Sequence, residues 1–332
     1  MTEAVTILGA GVAGLCVATE LTRRGIPVAL HDPNGAPGEH GCSWWAGGML
    51  APFCEAESAE EPVLRLGQGA AAWWEAGGAV VTRNGSLVVA LGRDRREIDR
   101  FARRTEQHEW LDGEGIAALE PDLQGQVTRC LSFPAEAHLS PRDALGCLVQ
   151  TLADHGVTIR TDPPRTGSLT VDCRGLGARD DLADLRGVKG EMLVICCPDV
   201  TLSRPVRLLH PRIPLYIVPR GEGVYMLGAT VIEATERNRI TARSMLEMLS
   251  AAYALHPAFG EAEILEIGTD ARPAFPDNLP RIRRIGRTIH ANGLFRHGFL
   301  LGPALAQQVA DLIETNQRPE FMDADHPERG AA

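Results

Sequence analysis

This chain of 332 residues lacks three features: an excess of positive charge, a long apolar run and a C-x-x-C motif. Its formal net charge of −10 argues against nucleic acid or an anionic membrane surface as a partner. No segment approaches the roughly 20 consecutive apolar residues that a membrane-spanning helix needs. The first predicted strand begins at Val5, which leaves no room for a signal peptide before it, so we expect a cytoplasmic protein.

The cysteines and histidines form no recognisable site either. The eight cysteines are typical of small buried apolar residues in a reducing compartment. The ten histidines show no metal-ligand spacing, so no metal site is predicted. We expect His138 and His297 to be loop residues with satisfied hydrogen bonds. What remains is an ordinary globular composition, 44% hydrophobic and 23% charged, in a chain long enough for two domains.

Near the N-terminus, an apolar strand is followed by a glycine turn and a helix. The strand is Val5–Leu8, and the helix is predicted over residues 12–24. Gly9 allows a tight turn, Gly11 lets the backbone approach a phosphate, and Gly14 lets the helix pack close to the strand. This order of elements predicts a nucleotide-binding turn.

The start of this helix offers free N–H groups, including those of Val12 and Ala13, which together with the helix dipole favour a pyrophosphate. A second strand, residues 26–30, leads to Asp32, at the position where a carboxylate accepts hydrogen bonds from ribose hydroxyls. The charge of Asp32 disfavours the 2′-phosphate of NADP. The segment by itself leaves NAD and FAD both open.

A second segment, residues 293–303, also reads as a strand, a glycine turn and a helix start. The first segment can hold a pyrophosphate, and the second can hold the far end of a long cofactor. Together they favour one FAD molecule stretched across a domain that is built from both ends of the chain.

Further helices and strands are predicted between these two segments. The helices are residues 60–75, 94–107, 141–155 and 241–255. The strands are residues 86–90, 157–160, 169–172, 189–197, 215–219, 224–231 and 264–270. Asn84-Gly85, just before residue 86, is a β-hairpin signal.

These elements predict an α/β fold, with a Rossmann-like FAD-binding domain and an inserted mixed antiparallel-sheet domain that binds substrate. The substrate pocket is expected between the two domains. The predicted FAD-binding domain comprises residues 1–75, 137–185 and 271–325, the substrate-binding domain residues 76–136 and 186–270, and a loose tail residues 326–332.

Several motifs together resemble the D-amino-acid oxidase superfamily, and within it the glycine oxidase of thiamin biosynthesis. The resemblance covers nearly the whole chain. Besides the first turn, it rests on CSWWAGGMLAP at residues 42–52, LEP at 119–121, YIVPR at 216–220, Arg272-Pro273 with Asp277 and Pro280, and FRHGFLLGP at 295–303.

This resemblance implies which residues hold the cofactor. Those at the pyrophosphate and ribose are Gly9, Gly11, Gly14 and Asp32, and those along the flavin are Ser43, Ala46, Gly47, Gly48 and Met49. Val157 corresponds to a strand beside the adenine. The turn at the pyrimidine end of the flavin comprises Gly298, Phe299, Leu300 and Leu301, and a helix starting at Pro303 would direct its dipole there. Sarcosine oxidases of this superfamily attach flavin to a cysteine in the C-terminal part, but no cysteine follows Cys197, so the FAD is expected to be non-covalent.

The resemblance also implies a substrate site and a reaction. Arg272 would bind the substrate carboxylate, Tyr216 would support it, and Arg296 would lie beside the flavin. The implied reaction is FAD-dependent oxidation of glycine by oxygen to an imine, then to glyoxylate, ammonia and hydrogen peroxide, with the imine supplied to thiazole synthesis. Homo-oligomers and hand-over to a thiazole synthase are in keeping with the family.

Two departures keep alternatives open. Trp44 and Trp45 replace smaller residues, which leaves the pocket width undetermined, and Arg283-Arg284 stands where a glycine is usual. The alternatives are an oxidase of sarcosine or a D-amino acid, an amine dehydrogenase with an acceptor other than oxygen, and a nucleotide-binding protein without turnover.

Overall fold

The computed structural model describes residues 4–164, 167–210, 214–237 and 239–323, so the predicted tail at residues 326–332 lies outside the described residues. In chain order the strands are β1 (Val5–Leu8), β2 (Val28–His31), β3 (Met49–Leu50), β4 (Val81–Thr82), β5 (Ser86–Ala90), β6 (Glu109–Asp112), β7 (Arg129–Phe133), β8 (Ala137–Leu139), β9 (Ile159–Arg160), β10 (Thr170–Asp172), β11 (Arg186–Cys196), β12 (Val206–Leu209), β13 (Leu215–Gly221), β14 (Val224–Gly228), β15 (Ile232–Glu233), β16 (Glu263–Ala274), β17 (Arg281–Ile285) and β18 (Thr288–Asn292). The α-helices are α1 (Val12–Arg23), α2 (Pro52–Glu55), α3 (Glu61–Gly67), α4 (Ala70–Ala76), α5 (Arg95–Arg104), α6 (Gly113–Leu119), α7 (Pro141–Asp154), α8 (Ala242–Leu255) and α9 (Gly298–Thr315).

A six-stranded sheet with the order β17-β18-β10-β1-β2-β9 forms the first part of the fold, where the sequence predicts nucleotide binding. Its strands are parallel except for β17, which runs antiparallel to β18. The carboxyl ends of β1, β2 and β10 therefore share one edge, which is where ligands bind in open parallel sheets. The residues that directly follow these three strands, Gly9, Asp32 and Cys173, all lie at this edge.

A nine-stranded mixed sheet forms the second part. Its order is β15-β11-β14-β13-β12-β5-β7-β6, and β16 also pairs with β11. The neighbours are antiparallel apart from β12 and β5. A small sheet, β3-β8-β4, completes the fold. The predicted α/β fold with parallel and antiparallel sheets is confirmed.

Helices α1 and α9 pack against each other at their N-terminal ends. A methyl group on Gly298 would lie 3.1 Å from Val12 Cγ1, and one on Gly302 would lie 3.2 Å from Cys16 Sγ. The small residues therefore let the two helix N-termini approach closely. The two chain segments predicted to act together do meet in space.

Three local predictions were wrong. The helix predicted over residues 60–75 is divided into α3 and α4. The Asn84-Gly85 signal does not form a hairpin, because β4 pairs with β8 while β5 pairs with β7 and β12. The last helix begins at Gly298 rather than at Pro303, and the strand before it, β18, ends before residue 293.

Pro303 lies inside α9 because another group replaces the helical hydrogen bond that a proline cannot make. The carbonyl of Phe299, four residues earlier, accepts a hydrogen bond of 2.8 Å from Trp74 Nε1 instead. Trp74 is fully buried and stacks on Phe299 with ring centroids 5.3 Å apart. No described helix is both long enough and apolar enough to cross a membrane.

Candidate active site

A cavity of about 630 Å³ lies between the carboxyl edge of the six-stranded sheet and one face of the nine-stranded sheet. This volume is in the range of ligand pockets, about 300–1,000 Å³. The predicted site residues that line it are Gly9, Gly11, Val12, Ala13, Asp32, Ser43, Ala46, Gly47, Gly48, Met49, Tyr216, Arg272, Arg296, Gly298, Phe299 and Leu300.

Three predicted site residues do not line the cavity. Gly14 lies beneath the first turn, where a side chain would clash with the carbonyl oxygen of Gly9, so its role is in packing. Leu301 is fully buried in the core. Val157 precedes β9 and packs against the same core. Their predicted contacts with a cofactor stay predictions.

The first turn forms a cradle at the N-terminus of α1. Gly9 has a φ of +96°, which favours glycine, and the Ala10 N–H donates to Asp32 Oδ2 at 2.8 Å. Ser43 Oγ accepts a hydrogen bond of 3.0 Å from the Val12 N–H, so this N–H group is not free as predicted. A side chain on Gly11 would fill the space in front of the helix, since its Cβ would lie 3.4 Å from Ser43 Oγ. The bare backbone and the helix dipole suit a pyrophosphate.

The segment 46–49 crosses the cavity as bare backbone, held from behind by Arg220. Arg220 donates to the carbonyls of Gly47 at 2.8 Å and of Ala46 at 3.3 Å. Since C=O and N–H point in opposite directions in a trans peptide, the N–H groups of Gly47 and Gly48 point away from Arg220. Both glycines line the cavity, whereas Arg220 does not. We infer that these N–H groups face a bound ligand.

Gly48 is confined by its surroundings as well as by its backbone. Its φ is +72°, and a Cβ there would lie 2.2 Å from the carbonyl oxygen of Leu139. Burial, more than the nearby charge of Arg142, lowers the pKa of Arg220 to about 10, so this guanidinium stays charged at neutral pH. The flavin-facing segment predicted from sequence is therefore a rigid loop with a cation behind it.

Arg272 lies on the face of the nine-stranded sheet that forms the cavity floor. Its guanidinium folds over Gly190, where a Cβ would lie 2.2 Å from Arg272 Nη2. One N–H group donates to the carbonyl of Thr230 at 3.2 Å. Within the described ranges Arg272 has no carboxylate within 4 Å, so the rest of its fork is available to an acid.

Tyr216 covers a second glycine on this floor. It lies directly opposite Gly228 in the pairing of β13 with β14, and a Cβ on Gly228 would lie 2.6 Å from the Tyr216 hydroxyl. Its ring also lies close to Gly47, whose Cβ would be 3.0 Å from Tyr216 Cε2. In the described part of the chain no hydrogen bond satisfies this hydroxyl, which leaves it available to a ligand.

Another wall of the cavity contains a buried carboxylate, Glu55, which contacts two arginines and a histidine. Arg207 Nη2 donates to Glu55 Oε1 at 2.6 Å, Arg296 Nε donates to Oε2 at 2.9 Å, and His297 Nε2 lies 2.9 Å from Oε2. Burial alone would raise the pKa of Glu55, but the charges of Arg296 and Arg207 and the contact with His297 hold it well below its usual range. Arg296 is thus held in place by an ion pair.

The two predicted loop histidines differ in outcome. His138 lies on strand β8 rather than in a loop, whereas His297 lies in the loop just before α9, as predicted. Both side chains are buried, and Nδ1 of each has no hydrogen-bond partner among the described residues. The expectation of satisfied hydrogen bonds was therefore wrong for His138 Nδ1, and for His297 it holds at Nε2, which contacts Glu55, but not at Nδ1.

Residues 4–312 match the model of the FAD dependent oxidoreductase family. The chain belongs to this family. A Rhizobium etli protein described as "Putative thiamine biosynthesis oxidoreductase ThiO" is 55% identical over 324 residues, covering 95% of this chain and 98% of that protein. The predicted membership of the D-amino-acid oxidase superfamily is confirmed, and the protein is an FAD-dependent oxidoreductase.

Two further comparisons bear on this family member. "Bifunctional protein ThiO/ThiG" of a Synechocystis species is 26% identical over 360 residues, covering 99% of this chain and 54% of that longer protein. The crystal structure of a glycine oxidase from Geobacillus kaustophilus superposes with a TM-score of 0.79 at 23% identity, covering 96% of this chain and 95% of that one. The structural likeness shows the same fold.

Sequence reasoning missed Glu55 and Arg207 in this oxidoreductase. Their side chains meet only because α2 and β12 come together with residues 296–297. No spacing along the chain links these segments. The one local signal was Arg296, whose motif contains His297, but the carboxylate that both contact could not be inferred from it.

Proposed function

We propose that this enzyme oxidises glycine with non-covalent FAD and oxygen, giving an imine that hydrolyses to glyoxylate and ammonia, together with hydrogen peroxide. The observation that carries the proposal is Arg272, a guanidinium with no carboxylate partner among the described residues, on the floor of the cavity that the nucleotide-binding turn also lines. Such a fork matches a substrate carboxylate in a bidentate pair.

In this proposal Arg272 and the Tyr216 hydroxyl bind the carboxylate and fix the substrate on the cavity floor, beside the segment 46–49. Positioning of this kind can lower a reaction barrier by several kcal/mol. We expect Arg296 to attract the substrate carboxylate less strongly than Arg272 does, because Glu55 already compensates the charge of Arg296. We assign it a supporting role beside the cofactor.

The residues that would hold FAD fit its chemistry. The cradle at Gly9 and Gly11 suits the pyrophosphate, Asp32 suits the ribose, and the N–H groups of Gly47 and Gly48 suit the polar edge of a flavin. When bound, FAD would accept a hydride from the substrate carbon and pass the two electrons to oxygen.

Non-covalent attachment is supported by the two cysteines that line the cavity, Cys42 and Cys173. Burial raises the pKa of Cys42 to about 12. The pKa of Cys173 is also raised, mainly by burial and to a smaller extent by the negative charge of Asp172. Both side chains stay thiols at neutral pH and are poor nucleophiles. All eight cysteines are free, which supports a reducing compartment such as the cytoplasm.

No side-chain base is proposed. The described carboxylates that line the cavity are all engaged: Asp32 accepts backbone N–H groups, Glu55 pairs with two arginines, and Asp270 pairs with Arg237. The substrate amine is therefore expected to react in its uncharged form, with no proton transfer to the protein before oxidation.

A role in thiamin biosynthesis is supported by the relatives. The Rhizobium etli protein is described by that pathway, and the Synechocystis protein joins ThiO to ThiG in one chain. We propose that the imine is passed to a thiazole synthase as a partner, and that homo-oligomers form as in the family.

The test is oxygen uptake and peroxide formation by the purified yellow protein with glycine, sarcosine and D-alanine. Glycine should give the highest kcat/KM and yield glyoxylate and ammonia. Higher activity with sarcosine or D-alanine would mean that this amino acid, and not glycine, is the preferred substrate. Substrate oxidation that needs an artificial acceptor and consumes no oxygen would make the protein a dehydrogenase.

A further inference from the structure

Three glycines on the cavity floor surround one methionine. Gly268 pairs with Met192 across β16 and β11, and the register of β11 with β14 brings Gly228 opposite Met192 on the other side. Gly190 lies two residues before Met192 on the same face, because side chains alternate along a strand. From strand spacing of about 4.8 Å and a rise of about 3.4 Å per residue, the three glycines lie about 8–10 Å apart.

A large side chain covers each of these glycines. Arg272 lies over Gly190, Tyr216 lies over Gly228, and the ring of Trp45 lies over Gly268, where a Cβ would be 2.3 Å from Trp45 Cε3. Arg272, Tyr216 and Trp45 therefore enclose the floor above Met192. The first two offer hydrogen bonds to a carboxylate, whereas the third offers an apolar surface.

Trp45 is fixed in this position rather than free to swing. Its Nε1–H donates to the carbonyl of Glu39 at 3.1 Å. The guanidinium of Arg142 lies 5.3 Å from the Trp45 ring centroid, and Arg142 is itself held by Glu266 through two hydrogen bonds of 2.8 and 2.6 Å. Glu266 lies on β16, so Arg142 links Trp45 to the sheet that forms the cavity floor.

We propose that Trp45 determines substrate specificity by limiting the group on the substrate α-carbon to hydrogen or methyl. The inference rests on the proposed function, since it places the carboxylate at Arg272 and Tyr216. A carboxylate held there directs the α-carbon over Met192, and any longer side chain meets the indole. The substrate class is then glycine and its smallest α-substituted homologues.

The experiment compares wild-type enzyme, Trp45→Ala and a matched control, Trp110→Ala, with glycine, D-alanine and D-norvaline. Trp110 lies on β6 and is 45% exposed, with Arg129 stacked on its ring, so it shares the indole–guanidinium contact but lies outside the cavity lining. In Trp45→Ala the ratio of kcat/KM for glycine to that for D-norvaline should fall by about 100-fold, since several methylene groups are accommodated. In Trp110→Ala it should not change.

The outcomes separate this inference from the proposed function. If wild type oxidises glycine but Trp45→Ala keeps the wild-type selectivity, the role of Trp45 is overturned while the function stands. If no amino acid is oxidised by wild type or variants, the function fails and this inference with it. Should Trp45→Ala not fold, Trp45→Leu is measured in its place, with an expected fall of about tenfold.

Discussion

At the scale of single residues, Glu55 balances the charge of the cavity wall. Its buried carboxylate compensates Arg207 and Arg296, and Arg207 is itself largely buried. Removing one partner of a buried ion pair leaves uncompensated charge and typically costs about 3–5 kcal/mol. We therefore expect Glu55→Gln to lower the free energy of unfolding in urea at pH 7.5 by about 3 kcal/mol.

A surface ion pair provides the control for this variant. Glu233 pairs with Arg186 at 2.6 Å, but its side chain is 68% exposed. Glu233→Gln should change the free energy of unfolding by less than about 1 kcal/mol. Equal losses in the two variants would show that the Glu55 cluster does not stabilise the fold in the way described.

His138 should make stability depend on pH. Burial, with a smaller contribution from the charges of Arg220 and Arg204, lowers its pKa to about 4 from the usual 6.5. The unfolded chain therefore takes up a proton below about pH 6.5 that the folded chain does not, and stability is lost as the pH falls. Between pH 7.5 and 5, His138 should account for about 2 kcal/mol of the loss.

The measurement compares the urea unfolding of wild type and His138→Phe at pH 7.5 and pH 5. Other groups titrate equally in both proteins, so the difference between the two pH dependences isolates His138. The variant should lose about 2 kcal/mol less than wild type on acidification. An identical loss in both proteins would mean that His138 is protonated in the folded state.

The sequence predicted some residues of the candidate site and missed others. Gly9, Gly11 and Asp32 follow from local rules, because a turn after a strand fixes what each position must do. Arg272 and Tyr216 came from family motifs, and the structure places both on the cavity floor, although their roles stay predictions. Glu55 and Arg207 carry no local signal, since only tertiary contacts bring them together.

At the scale of elements, Arg220 connects β13 of the nine-stranded sheet to the loop that precedes β3. Its guanidinium holds the carbonyls of Ala46 and Gly47 and so fixes the loop that faces the cavity. Arg220→Met should loosen this loop and raise the dissociation constant for FAD by about tenfold, the equivalent of one weak hydrogen bond to a charged group. Arg220→Lys should recover part of the affinity.

FAD affinity can be measured without turnover, by titrating the apoprotein with FAD and following the quenching of flavin fluorescence. Arg65→Met is a suitable control, because Arg65 pairs with Glu61 on the protein surface and lies outside the cavity lining. An Arg220→Met protein that binds FAD as tightly as wild type would contradict the role given to this residue.

Helices and strands were predicted well where a local sequence pattern determines them. They were predicted poorly where contacts with distant parts of the chain determine strand pairing or a helix start. The turn residues Asn84-Gly85 favour a hairpin, but β4 and β5 join different sheets, so the turn only redirects the chain. Pro303 marked a helix start by the usual preference. The helix nevertheless begins at Gly298, because Trp74 takes the carbonyl that Pro303 leaves without a partner.

At the scale of the whole molecule, the site exists only where two sheets meet. The six-stranded sheet supplies the turn that is predicted to hold a dinucleotide, and the nine-stranded sheet supplies the floor with Arg272 and Tyr216. The sequence predicted this division because both ends of the chain carry glycine turns while the middle carries antiparallel strands. The domain boundaries themselves stay a prediction.

The central claim is that glycine binds through Arg272 and reduces FAD in this cavity. The most direct test is anaerobic mixing of glycine with the purified yellow protein while the visible flavin band is recorded. We predict that glycine bleaches the wild-type band with a saturating dependence on its concentration. Arg272→Ala should keep the band but need at least about 100-fold more glycine, since a buried bidentate ion pair is lost. A wild-type band that glycine does not bleach, or equal glycine dependence in both proteins, would contradict the account.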